Sequence, residues 1–326
     1  MDNIQKKVKQ IIEAESEFLY NFVVYMPDEQ KPLGVLGLLP FLSVYVDGVA
    51  KWSMVALKRS NPFSSQQKQA YPAIRQGIKL FENSLDANIA IITAEMENHE
   101  ESFSSEYFGD MVCNGHIICN TYLSGIYLNI TKLKEIYGID GLNYKGDALG
   151  PLLQDMTFVG GRIVDINATQ KRNLSFNNIH IEQNDLYLYD NAIYNMKNIA
   201  DVCWLNLLCQ VNYVLYFMNK LTDKRDFFVF RCAYIVYYYA IKTIENAEIE
   251  FDIDKKWADT KFRNALAHYG IKMALGKNKL ISSDVFGGLT NYYFDLSYDE
   301  LYDSIIDELF DLSSQLEKKL LFSNIN

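Results

Sequence analysis

The residues best equipped for chemistry lie between Lys261 and Gly270, in the run KFRNALAHYG. Histidine is scarce in this chain, with 4 in 326 residues. One of them, His268, follows Arg263 by five positions, with Asn264 between them. On a helix, residues four apart share a face, so Asn264 stands one turn below His268, and the long side chain of Arg263 can swing toward the same side. An imidazole that titrates near neutrality can take or give a proton at a phosphodiester. A guanidinium bonds phosphate oxygens in pairs and keeps its charge while negative charge develops. RNA carries its own nucleophile, the 2′-hydroxyl, so proton transfer and charge stabilisation suffice to cleave it without a metal. Lys255, Lys256 and Lys261, on or beside the same helix, and Tyr269 next to the histidine are placed to bind a phosphate backbone.

The elements that must position these groups read as helices. Apolar residues at helical spacing from Ile4 to Val23 predict a first helix over Asp2 to Tyr25. An apolar stretch runs on to Lys58 behind a Pro/Gly-containing segment, and Asn61-Pro62 opens a further helix that Pro72 is expected to break or kink. Helices are also expected over Asp86 to Glu97 and, in pieces around Gly115 and Gly125, over Ser104 to Leu133. Between Gly138 and Asp190 glycines cluster. Two short alternating runs there, Leu174 to Ile181 and Leu186 to Tyr189, predict a β-hairpin at a domain junction.

Beyond Asp190 almost everything is helical. One long segment is expected over Asn191 to Leu221, and a second, apolar on most sides and hence central, over Asp226 to Asn246. The motif helix is expected from about Asp254 to Gly270, with glycine as its stop and Asp254 as a candidate cap. Ser297 and Glu300 form a capping box for a closing helix that carries Leu301, Ile305, Leu309, Leu312, Leu316 and Leu320. The expected architecture is mainly α. A helical N-terminal domain over 1–150 leads through a Gly-rich junction over 151–190 to a four-helix bundle over 191–326.

The run RNALAH resembles the R-x4-6-H signature of the HEPN superfamily, usually seen as RN-x3-H on the third helix of a four-helix bundle. The order of elements over 190–326 is similar. The resemblance implies a metal-independent endoribonuclease of toxin, abortive-infection or antiviral-defence type that acts on RNA, needs no cofactor and works as a homodimer with two motifs facing each other. It further implies Arg263 and His268 as catalytic residues, Asn264 in support, and an antitoxin or regulatory protein as a possible partner. The alternative reading keeps the scaffold without the chemistry, holding a partner protein or nucleotide. One toxin subgroup carries tyrosine two residues past the histidine; here Gly270 holds that place and Tyr269 precedes it.

Composition constrains this reading. A net charge of −10 means that any contact with nucleic acid runs through a local basic patch. Lys51, Lys58, Arg59, Lys68, Arg75 and Lys79, with Trp52 and Tyr71 nearby, make the N-terminal half locally basic, which solvated helix faces explain as well as an RNA surface does. The odd count of 5 cysteines without a CxxC pair fits buried free thiols in a reducing cytoplasm. The apolar run Leu33 to Val46 is interrupted by Pro40 and short for a membrane span. Glu248, Glu250, Asp252 and Asp254 alternate with apolar residues, as an extended connector with one wet side does. Tyr237 to Tyr239 are expected in the core or at a dimer interface.

Overall fold

The structure is a computed structural model that describes residues 2–27, 31–79, 84–99, 110–120, 136, 149–163, 174–177, 179–184, 199–222, 225–247, 249–275, 279–281 and 283–321. It is mainly helical with one small antiparallel sheet. In chain order come α1 (Asn3–Tyr25), α2 (Lys31–Val55), α3 (Ser65–Lys79), α4 (Leu85–His99), β1 (Asp110–Cys113), β2 (His116–Asn120), α5 (Leu149–Ile163), β3 (Ile181–Asn184) and α6 (Ile199–Asn212). They are followed by α7 (Phe227–Ala247), α8 (Thr260–Ala267), α9 (Ile271–Leu275), α10 (Leu289–Phe294) and α11 (Tyr298–Leu321).

Helix α1 forms where its sequence pattern puts it. Asp2 accepts from the Gln5 amide and Gln5 returns the bond to the Asp2 amide, closing a capping box. Its buried stripe of Ile4, Val8, Ile11, Ile12, Phe18, Leu19 and Phe22 packs on α5 and α7. Helix α2 continues through Pro40, and α3 through Pro72; neither proline ends its helix. In α2 the surroundings are apolar and buried, so packing outweighs the lost backbone hydrogen bond. The helical stretch therefore outlasts the run Leu33–Val46. Gly34–Val55 and Phe227–Ala247 are both long and apolar enough to cross a membrane, yet both are mostly packed inside the protein, which is compatible with a soluble chain.

The sheet departs from expectation. Residues 110–120, expected within a helix, form the hairpin β1–β2, turned by Asn114 and Gly115 with φ of 52° and 86°. An Asn-Gly pair with two left-handed residues is the favoured two-residue hairpin turn, and short apolar runs do not by themselves separate strand from helix. The segment from 174 forms a strand only at β3, which pairs antiparallel with β1, Cys113 opposite Ile181. The expected second arm, Leu186 to Tyr189, lies outside the described residues, as do Gly138, Gly141 and Gly146, Arg172-Asn173 and residues 121–135.

In the C-terminal half, α6, α7 and α11 pack on one another. Of the long segment expected over Asn191 to Leu221, residues 191–198 are outside the description. The described part widens after α6 into a π turn over Tyr213–Phe217 before tightening again. This aims the Tyr213 hydroxyl at the Gly34 carbonyl, 2.6 Å away, and stacks its ring on Phe41. The expected capping box is present, with the Ser297 amide on Glu300 at 2.8 Å and the Glu300 amide on Ser297 at 3.3 Å. Leu301, Ile305, Leu309, Leu312, Leu316 and Leu320 are all fully buried. Ser297→Ala should cost about 0.5–2 kcal/mol, read as a lower urea midpoint with an unchanged slope. All five cysteines are free and buried. The buried core is continuous from Ile4 to Leu320.

Candidate functional site

The motif helix is shorter than expected. Residues 249–259 stay outside the helix, with a turn at Lys256-Trp257, because α7 and α11 bind their backbone. Tyr234 donates to the Trp257 carbonyl at 2.7 Å, Tyr237 donates to that of Asp254, and Glu308 accepts from the Asp254 amide at 2.8 Å. The cap is Asp259, which accepts from the Phe262 amide at 2.7 Å, not Asp254, which holds Lys256 at 2.6 Å. Phe262, Ala265 and Leu266 bury one side of α8, which docks on α7 and α2.

The end of α8 sets the site. Tyr269, not Gly270, takes the left-handed conformation, with φ of 50°, while the Gly270 amide closes onto the Ala265 carbonyl at 2.7 Å. A tyrosine in that conformation is disfavoured and persists only when its surroundings hold it. They do so here. The Tyr269 hydroxyl donates to Glu15, its ring lies 4.2 Å under the Arg231 guanidinium, and Gly48 clears the space, since a Cβ there would stand 2.4 Å from the ring. Arg231 pairs with Glu15 at 2.6 Å, both fully buried, and also donates to the Val44 carbonyl at 3.1 Å. Burial works against both charges and pushes the Glu15 carboxyl up, while the Glu15 carboxylate makes the Arg231 proton harder to remove.

With Tyr269 anchored inward, His268 turns toward α2. Its Nδ1 lies 2.5 Å from the Asp47 carboxylate, and Lys51 Nζ lies 3.0 Å from Nδ1 and 3.2 Å from Nε2. Asp47 and Lys51, one turn apart on α2, also pair at 2.9 Å. A carboxylate only accepts, so the Asp47 contact favours the neutral tautomer with its proton on Nδ1, while Lys51 stands against both ring nitrogens. The His268 and Asp47 side chains are 28% and 15% exposed, so the pair is neither sealed nor fully wet. Burial would raise the Asp47 carboxyl, but hydrogen bonds from His268 and Lys51 outweigh it and hold the group well below the usual carboxylate range. Burial, and next the charge of Asp47, push the neighbouring Tyr71 hydroxyl up.

The depressed Asp47 value has a sign. Its contribution to stability is complete above the unfolded value of about 3.9 and is lost as pH falls below it toward the folded value. Asp47→Asn should therefore flatten the fall in urea midpoint below about pH 4 while leaving its shape near neutrality unchanged.

His268, Asn264 and Lys261 line one cleft of about 760 Å³, which α1 and α2 close from the other side through Val8, Lys51 and Trp52. Tyr269 also lines it, although its hydroxyl is committed to Glu15. The remaining expected residues stand elsewhere. The Arg263 guanidinium lies over the rings of Tyr238 and Tyr239 on α7, at 5.0 and 5.4 Å, and does not line the cleft. Lys256 is spread over Trp257 and paired with Asp254, and exposed Lys255 is outside the cleft. Tyr237 to Tyr239 are buried, as a core run should be. His180, the other histidine that follows an Arg-Asn pair, is exposed and paired with Glu182.

Sequence reasoning missed Asp47, Glu15 and Arg231, and it left Lys51 between a solvated helix face and an RNA surface. A signal was present. Asp47 and Lys51 are the charged residues inside an otherwise apolar run from Pro32 to Leu57, and Arg231 is alone in that respect within the first half of α7. Among the described residues no three His, Cys, Asp or Glu side chains converge as metal ligands would. No protein-family model, curated protein or solved structure matches the chain.

Proposed function

We propose that the chain is a metal-independent endoribonuclease of HEPN type, acting on RNA at His268. The observation that carries this reading is the Asp47–His268–Lys51 cluster on the wall of an open cleft. In this reading Asp47 holds the Nδ1 proton of the imidazole and leaves Nε2 as the proton acceptor. In this mechanism Nε2 takes the proton of the 2′-hydroxyl, O2′ bonds to phosphorus, and the P–O5′ bond breaks. The Lys51 ammonium protonates O5′ as it leaves, and the imidazolium returns its proton to Lys51. Lys261 and the Asn264 amide hold the phosphate oxygens. The phosphate contacts expected of Arg263 fall to Lys261 and Asn264, while Arg263 holds the motif helix on α7. The enzyme works in the cytoplasm as a homodimer, in phage defence or a toxin-like stress response, under control of an antitoxin or regulatory protein.

The products carry the test. Single-stranded RNA incubated with the protein in EDTA should yield 2′,3′-cyclic phosphate and 5′-hydroxyl ends; intact RNA, or 5′-phosphate ends, would overturn the reading. One observation favours the non-catalytic alternative, a scaffold holding a partner protein or nucleotide. Lys51 lies against both ring nitrogens and so occupies the position a substrate hydroxyl would need.

A further inference from the structure

The cleft is lined by two unlike kinds of residue, and the cleavage reading uses only one of them. The polar lining includes Lys51, Lys261, Asn264 and His268. The apolar lining includes Ile4, Val8, Trp52, Val55, Ala274 and Tyr293. Gln5 also faces the cleft, but its amide is committed, donating to the Ala56 carbonyl at 2.9 Å and accepting from the Asp2 amide at 3.0 Å. No carboxylate is among the described lining residues, because Asp47 meets Lys51 and His268 from behind. Asp47 balances the charge of Lys51, which leaves exposed Lys261 as the cation of the polar lining, beside the Asn264 amide.

Size and saturation complete the picture. About 760 Å³ lies within the range of about 300–1,000 Å³ usual for small-molecule sites. Trp52 is 4% exposed, and its indole N–H meets no acceptor among the described residues, which leaves a buried donor at the wall of the cleft. Val55, also lining the cleft, is 66% exposed, a large apolar side chain that an apolar ligand would cover.

We propose that this cleft binds a compact amphipathic organic anion, its apolar body between α1, α2 and Tyr293 and its acid group against Lys261 and the Asn264 amide. The inference stands independently of RNA cleavage, since it needs only the walls of the cleft. Such a ligand would cover His268 and so compete with any phosphodiester placed there.

Anilinonaphthalene sulfonate tests it by fluorescence titration without RNA, with decanoate and inorganic phosphate as competitors. One dye should bind saturably per chain. Lys261→Glu should weaken it about tenfold, a change of about 1.4 kcal/mol, and Ala274→Phe, which fills space at the apolar lining, should weaken it further. Decanoate should displace the dye and phosphate should not, because phosphate has no apolar body. Uncharged phenylnaphthylamine should bind more weakly than the sulfonate. Unchanged affinity in both variants, or displacement by phosphate alone, would overturn the proposal. If Ala274→Phe loses its cooperative melting transition, the exposed Lys261→Glu decides. Dye binding without RNA cleavage would count against the nuclease reading alone, and cleavage without dye binding against this one alone.

Discussion

Arg231→Met should destabilise the fold by about 3–5 kcal/mol, the largest effect expected of any single substitution here. The reason is what the change leaves behind. Glu15 is fully buried, and its partners are Arg231 and the Tyr269 hydroxyl. Without the guanidinium its charge is uncompensated in an apolar interior, and the Val44 carbonyl loses a donor. The double variant Glu15→Met, Arg231→Met should recover much of the loss, because two apolar side chains leave no orphaned charge. Urea unfolding of the two single variants and the double variant gives the coupling directly. A cost under about 1 kcal/mol for Arg231→Met would mean that the pair is not closed in solution as it is here.

The same network ties stability to the site. Tyr269 is the residue after His268, and Arg231 and Glu15 hold it in a left-handed conformation that a tyrosine otherwise avoids. The buried ion pair thus fixes the turn that aims His268 at Asp47. Arg231→Met should disturb the site as well as the fold, whereas Ser297→Ala on the far helix should touch stability alone.

Local patterns were the legible part of this chain. Helix α1, the α11 capping box and its six buried aliphatic residues, and the buried tyrosine run all follow from spacing and end chemistry over a few turns. The hairpin at Asn114-Gly115 was legible too, through its turn pair, but an apolar run on each side of it reads equally as helix. The motif helix came out short because Tyr234, Tyr237 and Glu308 bind the backbone ahead of it, and those contacts join residues far apart in sequence.

For the site, His268 and Asn264 were visible as an unusual pairing on one helical face. Their partners were not, because Asp47 and Lys51 come from a helix more than two hundred residues earlier, brought close by tertiary packing. Arg263 shows the converse limit. Its spacing from His268 allowed the two to converge, but two tyrosine faces on α7 compete for the guanidinium and hold it there.

The most direct test of the central claim is single-turnover cleavage of a single-stranded RNA in EDTA by wild type, His268→Ala, Lys51→Met and Arg263→Ala. Loss of a general acid or base costs about 10²–10⁴-fold in rate, and that loss is expected for His268→Ala. Lys51→Met should approach it, and Arg263→Ala, acting through the position of α8, should lose less than either. All four proteins should melt cooperatively, so that a lost rate is not lost fold. Equal cleavage by wild type and His268→Ala would contradict the account.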